Sequence, residues 1–409
     1  MHLNKIVYSF ILICLIFSVN VNGQINRTDN LNTITTAVPL LMIGPDARAG
    51  AMGDAGVSST PDVSSMHWNP SKYAFIEKDM GVGISYTPWL KNLVPDINLG
   101  YISGFKRLDK NQTIAASLLY FSLGDITFTN EIGDNIGTFR PNEYAVDFTY
   151  TRKLSKHFSG GVSLRYINSN LTGNRFVSGA STHPGRAGAA DVSGYYRKDL
   201  FINHRKALFA FGFNFSNIGN KISYTESTQR DFLPMNLRFG PSLKFDLDDY
   251  NSLEIMVDVN KLLVPTPPTY YQAGDITSSG DTVKSGQIVI KKGHDPRTTS
   301  VANSIFSSFY DAPGGFKEEF HEYNYSFGVE YWYAKRFALR GGYFYENPTK
   351  GNRRYFTLGL GLKYNVFNLD FSYLIATDPK TNPLTNTLRF TMIFDFDSFK
   401  DQNKKEAKN

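Results

Sequence analysis

The side chains able to do chemistry are thinly spread in this chain. Beyond residue 23 the histidines are His67, His157, His183, His204, His294 and His321, each standing alone. None falls into the H-x-x-x-H or H-E-x-x-H spacing that aims two imidazoles at one metal from a helix face. Serines are frequent, yet no G-x-S-x-G raises one on a nucleophile elbow. The only cysteine, Cys14, lies in a stretch expected to be removed, which excludes thiol catalysis, Cys-ligated metals and a disulfide framework. The spacing Gly50-x-x-Gly53-x-x-Gly56 is not G-x-G-x-x-G, and no strand precedes it to set a phosphate loop. The residues therefore point to no catalytic group, no metal and no cofactor.

Charge narrows the partners. The formal charge is +6, with basic and acidic residues interspersed except in the tail Lys400 to Lys408. A nucleic-acid binder gathers its basic residues into a stripe, and this chain does not, so no nucleic acid is expected. Lys5, the apolar run Ile6 to Val19 and the small-residue site Val21-Asn-Gly23 read as a secretory signal peptide over 1–23, with Gln24 as the mature N-terminus.

The positioning elements are strands. Tyr144, Val146, Phe148 and Tyr150 alternate with Ala145, Asp147, Thr149 and Thr151, and Phe356, Leu358, Leu360 and Leu362 face away from Thr357, Gly359 and Gly361. Phe209 to Ser216, Phe367 to Tyr373 and Leu388 to Phe396 keep the same period of two. Aromatic content is 14%, and after residue 23 no apolar run is long enough to cross a bilayer as a helix. Only helices and closed sheets satisfy every backbone group in lipid. The fold class expected is all-β: a transmembrane outer-membrane barrel of about fourteen antiparallel strands over residues 79–397, with a short helical N-terminal plug. Strands near 80–88, 95–106, 112–123, 140–153, 158–171, 188–198, 206–218, 232–246, 251–262, 322–334, 336–346, 353–365, 366–376 and 387–397 alternate short turns with longer loops. Short periplasmic turns and long outer loops are the rule for such barrels, which places both termini in the periplasm and the loop 263–320 outside. Residues 398–409 then form a basic periplasmic tail. Inward positions carry both signs, at Asp147, Arg165, Arg238, Glu254, Asp258, Glu330, Arg340, Lys363, Asp370, Arg389 and Asp395, and read as ion pairs bracing the barrel.

Residues 24–78 contain the one part that is neither strand nor turn. Pro45 suits a first helical position and Asp46 its first turn. Ala47, Ala51 and Ala55, beside Gly50 and Gly53, leave a bare face able to lie against a wall. A second short turn from Thr60-Pro-Asp62 must stop before Asn69-Pro70. Residues 24 to about 39 read as polar and loosely ordered. Pro45, Asp46, Arg48, Gly50, Met52, Gly53, Trp68, Asn69 and Pro70 are the expected plug residues, with His67-Trp68 packing rather than binding a ligand. In the long loop, Pro265 to Tyr271 reads as backbone unfit for a ladder, and Gln287 to Lys291 as a short strand. Tyr270, Tyr271, Phe306, Phe309 and Tyr310 are the candidate partner contacts, being the residue types that anchor interfaces. The competing expectation is that they fold back as a lid.

The run Pro39-Leu-Leu-Met-Ile-Gly-Pro-Asp-Ala-Arg-Ala-Gly-Ala-Met-Gly-Asp-Ala-Gly56, followed by Pro61-Asp62 and His67-Trp-Asn-Pro70, resembles the N-terminal signature of the PorV family. That family is an outer-membrane component of the type IX secretion system of Bacteroidetes, similar to FadL-type barrels. The resemblance implies a non-enzymatic shuttle. Its partners would be the SprA/Sov-like translocon barrel, the C-terminal sorting domains of cargo, the PorU sortase attachment complex and outer-membrane lipid. The alternative is a FadL-like channel for hydrophobic solutes, which needs an apolar pocket in the lumen.

Overall fold

The computed structural model describes residues 31–396, apart from 92, 93, 95, 130, 131, 174, 178, 179, 203, 227–229, 380 and 381. The expected signal peptide and basic tail lie outside the described residues. Fourteen antiparallel strands form one closed barrel. In chain order they are β1 (Met80–Pro88), β2 (Ile97–Arg107), β3 (Gln112–Leu123), β4 (Asn142–Lys153), β5 (Phe158–Asn170), β6 (Gly185–Ile202) and β7 (Arg205–Gly219), then β8 (Asn236–Asp246), β9 (Ser252–Leu262), β10 (Asn324–Tyr333), β11 (Phe337–Tyr345), β12 (Arg354–Tyr364), β13 (Phe367–Ala376) and β14 (Leu388–Asp395). Each pairs with its neighbours in sequence, and β1 closes the ring on β14, with Ile84 opposite Ile102 on one side and Met392 on the other. Closure leaves no edge strand to expose backbone groups to lipid.

The alternation divides the faces as expected. Val146, Phe148, Tyr150, Leu358, Leu360 and Phe390 are exposed on the outside, while Asp147, Thr149, Thr151, Thr357 and Arg389 are buried inside. No helix among the described residues is long and apolar enough to cross a membrane. Two of the short turns share one device. Asp109 Oδ1 accepts from the backbone N–H of Asn111 (2.6 Å) and Gln112 (2.9 Å), and Asp248 Oδ1 accepts from Tyr250 and Asn251 (2.8 Å each). Such Asx turns reverse the chain within a few residues, which holds those strand pairs to one register.

The N-terminal segment runs through the lumen from the long-loop mouth to the short-turn mouth. Asn32 donates its backbone N–H to Thr349 O (3.1 Å) and Ala37 to Phe232 O (2.9 Å), both partners lying in long loops. A 3₁₀ turn, Pro39–Met42, buries Leu40 and Leu41 against Leu99, Phe121, Ala145 and Ile167 of the wall. Two one-turn helices follow, α1 (Ala47–Gly50) and α2 (Ser65–Trp68), then a second 3₁₀ turn, Pro70–Phe75. The segment leaves at the short-turn mouth, where Lys78 meets Asp395 at 2.5 Å and Arg107 Nη1 donates to Glu77 O (2.7 Å).

Three expectations change here. Residues 32–38 are ordered, because the barrel mouth supplies the partners that their polar sequence does not. The first described residues lie at the long-loop mouth, opposite the chain's C-terminal strand end, so the two ends of the described chain do not share one side. Finally, α1 begins at Ala47 rather than Pro45: Asp46 is its N-cap, accepting from Ala49 N–H at 2.9 Å.

Candidate functional site: the lumen plug and the outer loop face

The plug is held by charges from both sides. Arg48 lies bidentate on Glu330 (Nε to Oε2 2.9 Å, Nη2 to Oε1 2.8 Å), bridges to Asp62 at 2.8 Å and has Glu254 at 3.7 Å. Glu330 also accepts from Arg340 Nε (2.6 Å), and Arg340 Nη1 donates to Asp370 Oδ1 (2.6 Å). A buried guanidinium is tolerable only with such paired, hydrogen-bonded carboxylates around it. Arg389 pairs with Asp54, Asp258 Oδ2 accepts the backbone N–H of Gly56 (2.7 Å) and Val57 (2.9 Å), and Arg165 is clasped by Asp147 and Asp191. The inward charges therefore brace the plug as well as the wall. Lys363 is not among these pairs and lines the open vestibule, of about 1380 Å³, at the short-turn mouth.

The remaining plug residues set its shape. Asp46 Oδ1 accepts Trp68 Nε1–H at 2.5 Å, which ties α1 to α2. Asn69 caps the 3₁₀ turn that opens at Pro70, accepting Ser71 N–H at 3.1 Å, and its amide donates to Val57 O (2.9 Å) and Gly194 O (3.0 Å). Met52 packs on Ala55 and Met256, and Pro45, just before Asp46, is buried. Gly53, at φ +67°, puts its backbone against that of Tyr343, so a Cβ there would fall 2.7 Å from Tyr343 N. Gly212 and Gly359 are lumenal as expected but offer no free room: a side chain at either would run into Val57 O or Ala51. Sequence reasoning missed Lys72, whose ammonium is wholly buried and donates to Gly56 O (2.8 Å) and Ser59 Oγ (2.9 Å). It also missed Asp191, and that Asp54 and Asp62 of the signature are ion-pair partners of Arg389 and Arg48.

The long loop has a fold of its own. Thr269–Tyr270 pairs with Ile290–Lys292, so the proline-rich exit does enter a ladder, just past its last proline. Two helices follow, α3 (Val301–Ser307) and α4 (Phe316–His321). Ser300 caps α3, accepting Asn303 N–H at 3.2 Å. Val301 and Ile305, one turn apart, pack onto Phe232, Met235, Leu263 and Val264, with Ile34 of the plug segment in the same cluster. The opposite side bears Phe306 and Tyr310, each 71% exposed. On α4, Phe316 and Phe320 stack edge to face at 4.7 Å and remain exposed. Lys261 of β9 joins the α4 end to the turn after α3, with its ammonium on Glu319 (2.7 Å) and Glu322 (2.8 Å) and over the Phe309 ring at 5.8 Å. Lys350 adds Glu318 (2.6 Å) and Glu322 (2.9 Å). Three buried carboxylates, Asp311, Glu319 and Glu322, converge there with the geometry of a cation site, and two lysine ammoniums already supply the positive charge. Tyr270 and Tyr271 stand apart on the hairpin, Tyr271 beneath Lys291 at 5.5 Å. Of the five candidate contacts, Phe306, Phe309 and Tyr310 thus lie in α3 or just after it, and α4 carries a second exposed pair, Phe316 and Phe320.

A comparison with protein families matches residues 26–269, more than half of the chain, to the family described as "Type IX secretion system protein PorV". The chain belongs to the PorV family. No curated protein matches it. Among solved structures it is similar to the Ralstonia pickettii toluene transporter TbuX, with 11% identity, TM-score 0.41, and coverage of 86% of this chain and 97% of that one. The Pseudomonas putida toluene transporter TodX matches at 12% identity and TM-score 0.42, over 89% and 98%. A Pseudomonas aeruginosa FadL homologue matches at 10% identity and TM-score 0.40, over 89% and 99%. In this PorV-family barrel the N-terminal run is a structural motif. Its aspartates, glycines and Trp68 seat one another against the wall.

Proposed function

We propose that this protein is a non-enzymatic outer-membrane adaptor of type IX secretion. It binds the C-terminal sorting domains of cargo emerging from an SprA/Sov-like translocon barrel and hands them to the PorU-type attachment complex. The observation that carries this reading is the aromatic face of α3 and α4. Phe306, Tyr310, Phe316 and Phe320 are exposed on a loop whose other face is fixed by an apolar cluster and four ion pairs. Exposed aromatics on a rigid support lose little entropy on binding, which suits an interface. In this reading the long-loop mouth faces outward, the short turns face the periplasm, and the outer belt of Leu, Phe and Tyr meets lipid. The channel reading needs an apolar passage, whereas the lumen here is occupied by the plug and lined by charged pairs.

A strain carrying Phe306→Asp and Phe316→Asp tests it. The barrel should assemble at normal level, while cargo with C-terminal sorting domains accumulates before the cell surface. Normal surface display in that strain, or in a clean deletion, contradicts the adaptor and favours the channel.

A further inference from the structure

On the long-loop side of the plug, a cavity of about 80 Å³ lies between Trp68, His67 and the wall. A single water needs roughly 10–15 Å³ by the same measure, so this space admits a small solute and excludes an acyl chain. Its polar lining is unbalanced. The guanidiniums of Arg165 and Arg353 each hold carboxylates, at Asp147 and Asp191 and at Glu346. Arg238 does not. Its Nε donates to Asn260 Oδ1 (2.5 Å) and its plane lies 4.4 Å over the Trp68 ring, and no described carboxylate pairs with it. Asp258, two residues from Asn260 on the neighbouring strand, has its Oδ2 engaged by the backbone of Gly56 and Val57. The Nη edge of Arg238 is left without a hydrogen-bond acceptor; Asp258 and Asp54, the latter also lining the cavity and paired with Arg389, act on it only through space. Asn214, 2% exposed, also lines the cavity, and its Oδ1 has no donor.

We propose that this cavity binds a small α-hydroxy or α-amino carboxylate. Arg238 supplies two parallel N–H donors to the carboxylate, the geometry for which a guanidinium is suited. Stacking on Trp68 fixes the plane of that fork. Asn214 Oδ1 accepts from the hydroxyl or ammonium one carbon away. Leu41, Met42, Leu262 and Phe344 complete the wall and leave room for only a short side chain. The site is independent of the outer loop face, so its occupancy says nothing about cargo binding.

Saturation-transfer NMR on the full-length protein in detergent, with lactate as the probe, reads this directly. Transfer to the lactate methyl should be saturable, and acetate, lacking the hydroxyl, should displace it only weakly. Arg238→Gln should weaken lactate by about tenfold or more, the scale of a lost charge-assisted pair. Asn260→Asp gives Arg238 an internal counter-ion and should have the same effect, so the test survives if the first variant fails to fold. No saturable transfer, or transfer unchanged in both variants, overturns the site. Acetate competing as well as lactate overturns the role of Asn214, and phosphate competing better than lactate overturns the carboxylate class.

Discussion

Arg48 meets three carboxylates at once, on its own segment (Asp62) and on two strands (Glu254, Glu330). Removing it leaves the buried Glu254 without an ion-pair partner and Glu330 with Arg340 alone, so Arg48→Met should cost about 3–5 kcal/mol. Chemical unfolding of the detergent-solubilised barrel measures this, and a loss below about 1 kcal/mol, the range of exposed pairs, would show the network to be dispensable. The period of two was enough to place Glu254, Glu330, Arg340 and Asp370 inside. It could not say that Arg48 would reach them, because the depth at which the insert sits in the lumen has no repeat in the sequence. Lys72 escaped for a related reason. A lysine is ordinarily read as solvated, and only the three-dimensional path of the plug turns Gly56 O and Ser59 Oγ toward its ammonium.

Among the elements, all fourteen strands were legible, most within two residues, since alternation and Asx turns are local. The exceptions are β6, which runs Gly185–Ile202 where 188–198 was expected, and β8, which begins at Asn236 rather than 232. Leu360 on β12 faces outward, so Leu360→Arg should cost about 2–4 kcal/mol if near the bilayer midplane, by the same unfolding measurement. A change as mild as one in an exposed turn would reverse the assignment of faces. Helix α3 was missed, although Ser300 and the Val301-x-x-x-Ile305 pair were there to be read. A helix of this length has little stability of its own and exists because Phe232 and Leu263 wait beneath it. The clamp around α4 also has a pH signature. Burial pushes the Asp311 carboxyl up to about 6, against the hydrogen bonds from Thr266, with Glu322 and Glu319 adding repulsion. An acid raised on folding contributes stability below its unfolded value of 3.8 and loses it as pH rises through about 6. Burial also disfavours the charged form of Glu318, but the Lys350 bond outweighs it and holds that group below its ordinary 4.5, so its contribution is lost only at lower pH. Between those limits Asp311 acts alone of the two, and hydrogen-exchange protection of residues 301–322 should rise as pH falls from about 7 to about 5. In Asp311→Asn that rise should vanish; an unchanged rise would place its origin elsewhere.

For the whole molecule, the barrel was legible and the direction of the plug was not, because strand count and loop lengths fix the wall but leave the lumen's path open. With the long loops outward, Thr33→Cys should react with a membrane-impermeant maleimide in intact cells, and Lys110→Cys, in a short turn, only after permeabilisation. The reverse pattern would invert the barrel. The adaptor reading joins these scales: a plugged, rigid barrel holding an aromatic face at its outer mouth for a passing partner. Photo-crosslinkers placed at Phe306 and Tyr310 in living cells test that claim most directly. The account predicts adducts with cargo sorting domains or the translocon barrel, and crosslinks confined to the chain itself, in cells secreting cargo normally, would contradict it.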